Sequence, residues 1–203
     1  MDKWNFMIDI DTLLAWGAAY KKIIEDEIIF MEGNESHFYY QLVSGSVRWV
    51  NIGDDGKEFL QGLIMPGESF GELPLFDDEY LAATAIANTD VVILRLHKST
   101  FLQILRENPE IHFSFSRLLT ERLRFKFHLI KEMANHNPEH CISALFDYFK
   151  QSRKNVCTSC NKINLTRQQI ADMTGMRVET VIRAIRSLQE KGQLVIDKGK
   201  VYC

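Results

Sequence analysis

"LTRQQIADMTGMRVETVIRAIRSLQEKG", Leu165 to Gly192, reads as two helices folded over a single glycine. Thr166 followed by Gln169 has capping-box spacing: each side chain can satisfy the other residue's backbone N–H, so a helix is expected to start at Thr166. Ala171 is small enough to let a second helix cross closely. Gly175 can adopt the positive φ of a tight interhelical turn. Val181, Ala184, Ile185 and Leu188 recur at helical spacing and should face a core, with Gly192 as the C-cap. The other face of this second helix carries Val178, Glu179, Ile182, Arg183 and Arg186. "QLVIDKGKVY" then reads as a two-stranded wing turning at Lys198-Gly199. Together these describe a winged helix-turn-helix, whose second helix fits a DNA major groove about 12 Å wide. The competing reading is a structural hairpin in which Glu179 and Arg183 form only an exposed pair worth about 0.3–0.5 kcal/mol. Cap, glycine turn, buried stripe, wing and local charge agree on the first.

Charge separates this end of the chain from the rest. From Glu139 onward there are 11 Lys and Arg against 6 Asp and Glu, a balance of +5; the formal total of −3 leaves −8 on residues 1–138. An acidic front and a basic back point to two units, the second facing a polyanion. The 203 residues can bury a core in either unit, and 46% hydrophobic with 25% charged residues is ordinary globular composition. No run of 18 apolar residues exists, so no membrane span is expected. The start, "MDKWNFMIDIDTLL", has acids where a signal peptide needs an apolar core. Four cysteines, none before Cys141, do not make a secreted disulfide framework. The expected location is the cytoplasm.

The first unit, to about Pro109, reads mostly as strands after a short helical segment from Asp11 to Ile24. "EIIFM", "HFYYQLV", "SVRWVNI", "KEFLQGLI", "LAATAIA" and "DVVILRL" are separated by the turn chemistry of "EGNE", "SG", "GDDG", "PGESFGE" and "FDDE". Such a pattern predicts an antiparallel barrel or sandwich. Asp55-Gly56 is a hairpin connection. From Pro109 the chain can run helical for about 25 residues, to roughly Asn135, without an internal Gly or Pro. Phe115, Leu118, Arg122, Phe125 and Leu129 step by 3 and 4, as do Leu119, Leu123, Lys126, Ile130 and Met133. One stripe can pack on the front unit. The other needs a partner, and a second copy of the same helix is the simplest; the first stripe is assigned to that dimer interface. The competing reading is a single core helix wrapped by its own domain.

These motifs resemble the cyclic-AMP receptor protein / fumarate-nitrate reduction regulator (Crp/Fnr) family of bacterial transcription factors, over nearly the whole chain. "LTRQQIADMTGMRVETVIRAIRSLQEKGQL" looks like that family's helix-turn-helix signature. "PGESFGELPLF" looks like the phosphate-binding cassette of its cyclic-nucleotide-binding β-roll, and the helix from Pro109 like its dimerisation helix. The resemblance implies an α+β fold in three parts: an antiparallel β-roll of the double-stranded β-helix type (1–108), a dimerisation helix (109–136) and a winged helix-turn-helix (137–203). It implies a homodimeric regulator that reads near-palindromic double-stranded DNA, with RNA polymerase as a further partner and the β-roll as sensor.

At each site the resemblance implies different things. Glu179 and Arg183 match the family's base-reading pair, with Arg183 donating to guanine and Glu179 accepting from a cytosine amino group. Val178 stands where cyclic-AMP-type members have arginine and resembles the fumarate-nitrate subgroup; Ile182 replaces that subgroup's serine. Thr166, Arg167, Gln168, Arg177 and Arg186 are the expected phosphate contacts. In the cassette, Gly71, Glu72 and Leu73 match its start. Where an Arg-Ser pair should follow to hold the cyclic phosphate, this chain has "YLAATA", with Leu81 and Ala82 nearest those positions. Neither can donate a side-chain hydrogen bond to a buried phosphate, so cyclic AMP is not expected to bind and Gly71-Glu72 serve as a structural turn. The effector is left unassigned and no cofactor is expected.

Oxygen-sensing relatives hold an iron–sulfur cluster mainly through N-terminal cysteines, which this chain lacks. Cys157 and Cys160 have the C-x-x-C spacing of a redox or metal pair, against a plain hairpin turn with two reduced thiols, which is the reading preferred; no metal is expected. A metalloenzyme on the same barrel would need converging histidines, and only His37 and His97 precede Pro109. The chain is therefore not expected to be an enzyme. A nucleotide-sensing module acting through protein partners is the alternative, but it leaves the +5 balance and the "RVETVIR" face unexplained.

Overall fold

The apolar runs of the first half pair as antiparallel strands in the computed structural model, which describes residues 7–157 and 159–203. In chain order they are β1 (Ala19–Ile23), β2 (Ile28–Phe30), β3 (Phe38–Ser44), β4 (Val47–Ile52), β5 (Glu58–Ile64), β6 (Ser69–Phe70), β7 (Thr84–Ala87) and β8 (Val91–His97). One four-stranded sheet runs β1-β8-β3-β6 and the other β2-β7-β4-β5. Strands that alternate apolar and polar residues can each turn one face inward, and the two inward faces meet in a core that includes Ile23, Leu42, Val47, Phe70, Leu81 and Ile93. The rings of Phe30, Tyr40 and Phe70 pack there with centroids 5.3–5.8 Å apart. Gly56, at φ 76°, makes the β4–β5 hairpin turn expected from Asp55-Gly56.

The helical segment expected from Asp11 to Ile24 is only half a helix. α1 (Ile10–Ala15) ends at Trp16, Gly17 takes φ 87°, and Ala19–Ile23 continues as β1, paired along its length with β8. β1 is an edge strand with four of its five residues exposed, so it shows no alternation to distinguish it from a helix end. Two helices interrupt the strand-rich unit where only strands and turns are expected: α2 (Leu73–Asp77), at the end of the cassette, and α3 (Lys98–Glu107). α3 is capped by the His97 ring, which accepts from the Ser99 N–H, and buries Phe101, Ile104 and Leu105.

α4 (Pro109–Ala134) matches the expected long helix. It crosses the boundary between the two units into which the chain divides, 1–120 and 121–203. In the first unit, Phe115 and Leu118 are core residues: the Phe115 ring stands edge-on to Phe101 at 5.2 Å and to Tyr39 at 5.8 Å. In the second, Leu129 is 3% exposed and Phe125 lies 4.8 Å from Tyr148, on α5 (Pro138–Ser152). Of the stripe assigned to a dimer interface, Phe115, Leu118 and Leu129 are thus buried within their own chain, while Arg122 and Phe125 are half-buried. Heptad spacing locates an apolar stripe but does not say what covers it. The large apolar residues that α4 leaves exposed are others: Phe113 (67%), Leu123 (55%), Phe127 (65%) and Ile130 (62%).

The second unit continues with α5, α6 (Arg167–Thr174), α7 (Val178–Glu190) and the antiparallel pair β9 (Val195–Asp197) and β10 (Lys200–Tyr202). Its core is built where α5 buries Ile142, Leu145, Phe146 and Phe149 and packs against α7.

Candidate nucleic-acid interface

The helix pair forms as its local signals dictate. Thr166 caps α6: its hydroxyl accepts from the Gln169 N–H (3.1 Å) and the Gln169 side-chain Oε1 accepts from the Thr166 N–H (2.9 Å), a complete capping box. Gly175 ends α6 at φ 66°. α7 buries Val181, Ala184, Ile185 and Leu188, and Gly192 follows it at φ 71°. β9 and β10 turn through Lys198 (φ 46°) and Gly199 (φ 77°), two consecutive positive-φ residues, as a tight hairpin twist needs.

That folding fixes which side chains face outward. Glu179 and Arg183, four residues apart on α7, are exposed, with Val178 and Ile182 half-buried on the same side. Arg177, the N-cap residue of α7, and Arg186 are exposed. At the start of α6, Thr166 and Gln168 are exposed, and Gln168 donates to Asp172 at 2.7 Å. Arg167 is half-buried, which pulls its pKa below the usual guanidinium value. Arg167 and Arg186 line an open groove of about 670 Å³ together with Lys162, Lys200 and the apolar side of Ile182. Lys162 and Lys200 are absent from the sequence-based contacts. Lys162 reaches the groove because its strand segment is held beside β10, with an isolated bridge to Tyr202. No local motif marks that pairing.

In the cassette of the first unit, side chains crowd the space beside Gly71. Gly71 sits at φ 67°, and a Cβ there would lie 2.7 Å from the Phe30 ring and 3.6 Å from Leu81. Glycine is required here by both backbone and packing. Glu72 is fully buried, and its carbonyl accepts from the Leu75 N–H as α2 begins; Leu73 is half-buried. Leu81, 4% exposed, points into the aromatic core, whereas Ala82 is exposed and its carbonyl accepts from Asn51. Two cations of the roll are engaged elsewhere: Arg95 lies 4.9 Å over the Phe38 ring, and Arg48 pairs with Asp26 and Glu58.

Cys157 and Cys160 lie between the bridged residues Val156 and Ile163, and both are free thiols. Among the described residues no group of three or more His, Cys, Asp or Glu side chains could hold a metal ion. No described helix is long and apolar enough to cross a membrane.

A β-roll that precedes a winged helix-turn-helix in the chain, the latter with a groove lined by four cations, defines the class of DNA-binding regulators. Two family models match the chain: the cyclic nucleotide-binding domain over residues 20–108 and the Crp-like helix-turn-helix domain over residues 140–202. The chain is 27% identical over 182 residues to the cyclic AMP receptor protein of Thermus thermophilus, covering 85% of this chain and 78% of that one. It is 27% identical over 196 residues to the cAMP-activated global transcriptional regulator Vfr of Pseudomonas aeruginosa, covering 94% and 91%. In fold it is similar to the global regulator CLP of Xanthomonas campestris, with a TM-score of 0.74 over 95% of this chain and 96% of that one at 20% identity. The chain belongs to the Crp/Fnr family of transcription regulators.

Proposed function

We propose that the protein is a homodimer that reads a near-palindromic DNA site, each copy laying α7 in the major groove. The carrying observation is the basic groove: Lys162, Arg167, Arg186 and Lys200 converge beside the exposed Glu179 and Arg183. Phosphate contacts from these cations would set register, and the α7 side chains would read base edges. Thr166, Gln168 and Arg177 extend the phosphate-facing edge, helped by the N-terminus of α6. Two half-sites are then expected about one helical turn apart, roughly 34–36 Å. RNA polymerase is the further partner, the cytoplasm the site of action, and 1–108, 109–136 and 137–203 the working division into roll, dimerisation helix and reader. Gel-shift titration of genomic fragments at two salt concentrations tests the reading. Tight binding confined to certain fragments, falling steeply with salt, supports it; equal, weak binding to every fragment rejects it.

The sensor reading is narrower. Vfr is described as cAMP-activated, but in this chain Leu81 and Ala82 stand at the phosphate end of the cassette, one packed into the core and the other without a hydrogen-bonding side chain. A buried phosphate without donors costs several kcal/mol. Calorimetric titration with cyclic AMP should therefore give no binding heat, and micromolar or tighter affinity would overturn that argument.

A further inference from the structure

Glu132 is a carboxylate buried at the end of a helix. Its side chain, on the last turn of α4, is 6% exposed, and a carboxylate taken out of water needs partners. They come from both sides of the turn into α5. The His140 Nε2 stands 2.7 Å from Glu132 Oε2, and the Asn135 amide donates to the same oxygen at 3.3 Å. The Lys131 ammonium lies 3.7 Å from the other oxygen. The connector between the helices is only residues 135–137. Within it His136 takes φ 51°, and the Asn137 side chain caps α5 by accepting from the His140 N–H at 3.1 Å. His140 is thus held by its backbone to the cap and by its ring to α4.

The first turn of α5 carries a second link, to the reading helix. The Glu139 carboxylate pairs with Lys191, the C-cap residue of α7, and hydrogen bonds from Lys191 and Ser187 hold its pKa below the usual carboxylate range. The end of α4, the start of α5 and the end of α7 are therefore joined through adjacent residues, 140 to 132 and 139 to 191. Further along α4, the Phe125 ring lies 4.8 Å and the His128 ring 5.4 Å from Tyr148 of α5, and the His128 Nε2 is 3.3 Å from the Ala144 carbonyl. Apolar and ring contacts hold two helices together without a preferred direction; a short hydrogen-bonded pair at the junction gives them one.

We propose that Glu132 and His140 are a positioning pair, which sets the angle between α4 and the reader and thereby the half-site spacing that the dimer accepts. This rests on the dimeric DNA-binding function proposed above. In that dimer the exposed Leu123, Phe127 and Ile130 of α4 meet their copies, and the two α7 helices must land one helical turn apart. A rotation at the α4–α5 junction carries α7 with it through the Glu139–Lys191 link. The side chains that face DNA within each copy stay as they are, and only the separation of the two readers changes. Without the pair the readers spread over a range of separations. A duplex that fixes the spacing then binds only the fraction of dimers that match it, and its apparent affinity falls by that fraction.

The test uses the full-length protein and a labelled duplex that the parent selects from random DNA. Affinity is measured for that duplex, for the same duplex with one half-site scrambled, and for versions with one base pair added or removed between half-sites. One base pair moves a half-site by about 3.4 Å along the axis and about 35° around it. His140→Ala should weaken the two-half-site duplex about tenfold, inside the roughly 10²- to 10⁴-fold that linking two sites contributes. It should leave the single half-site unchanged and shrink the penalty for the altered spacers. Glu132→Gln, close to the parent in volume, should behave alike. His140→Arg, whose guanidinium can pair with the buried carboxylate, should restore the parent pattern. Amide hydrogen exchange over 133–141 in the free protein should quicken in His140→Ala and recover in His140→Arg. Equal losses on one and two half-sites would reduce the pair to a structural role, and an unchanged spacer penalty would mean that the angle is set elsewhere; either overturns the proposal. Should the parent bind one and two half-sites alike, the dimeric reading fails and the spacing role with it, while the exchange rates still decide whether the pair holds the junction.

Discussion

Phe127→Asp is expected to convert a dimer into a monomer and to weaken binding to a two-half-site duplex by about 10²- to 10⁴-fold, the factor that linking two sites contributes. The argument starts from what α4 leaves uncovered. Phe113, Leu123, Phe127 and Ile130 are 55–67% exposed, and positions 113, 116, 120, 123, 127 and 130 step by 3, 4, 3, 4, 3. That is the seam of a left-handed helix pair, and a seam that repeats along one helix is complementary to a second copy of itself. The two polar positions fit this use. The Ser116 hydroxyl donates back to the His112 carbonyl at 3.4 Å and the Thr120 hydroxyl to the Ser116 carbonyl at 2.8 Å, so neither carries an unsatisfied donor into an interface. Aspartate at 127 would place two like charges at the centre of that seam, yet on the single chain it sits in solvent and leaves the fold intact. Leu129→Ala is the contrasting variant. It empties a site buried within the chain and should lower thermal stability by about 2–5 kcal/mol while leaving the dimer assembled. Sedimentation of both variants at micromolar concentration checks this. A parent protein that sediments as a monomer, or a dimeric Phe127→Asp, would remove α4 as the dimer axis.

The difference between the stripe assigned to a partner and the one left exposed shows where sequence reading stops. The helix-turn-helix was legible because each of its signals is local: a cap three residues from its reciprocal partner, a glycine at the turn, and four buried positions on one helical period. α4 was legible as a helix for the same reason. Which of its faces meets its own chain depends on Tyr39, Phe101 and Tyr148, which lie far away in sequence and which no periodicity names. β1 failed likewise, because its exposed residues become a strand only through β8. Lys162 and Lys200 went unread in the groove because a bridge between distant segments brings them there. In the cassette, that Leu81 carries no side-chain donor was legible from the residue type alone. That Phe30 fills the space beside Gly71 was not.

How α7 reads sequence is the sharper test. Glu179 and Arg183 are exposed one turn apart on a helix whose opposite face is locked by Val181, Ala184, Ile185 and Leu188. Both therefore project together, as the proposed reading of neighbouring base edges requires. A bidentate arginine–guanine contact is worth about 1–3 kcal/mol of discrimination, roughly 5- to 150-fold. Arg183→Ala should weaken the cognate duplex by that factor and leave non-specific binding nearly unchanged. Arg167→Ala should do the opposite: the half-buried guanidinium lines the groove with Lys162, Arg186 and Lys200, so as a phosphate contact its loss should weaken every duplex alike and flatten the salt dependence by about one counterion. Val178, half-buried at the first turn of α7, has no donor for a base and can make only apolar contact, as to a thymine methyl. The selected half-site should then resemble the TTG type of the fumarate-nitrate subgroup rather than the TGTGA of the cyclic-AMP subgroup. Val178→Arg should move the preference towards guanine at the outer position. Selection from random DNA decides between them, because TGTGA returned by the unmodified protein would mean that the outer guanine is read by some residue other than 178.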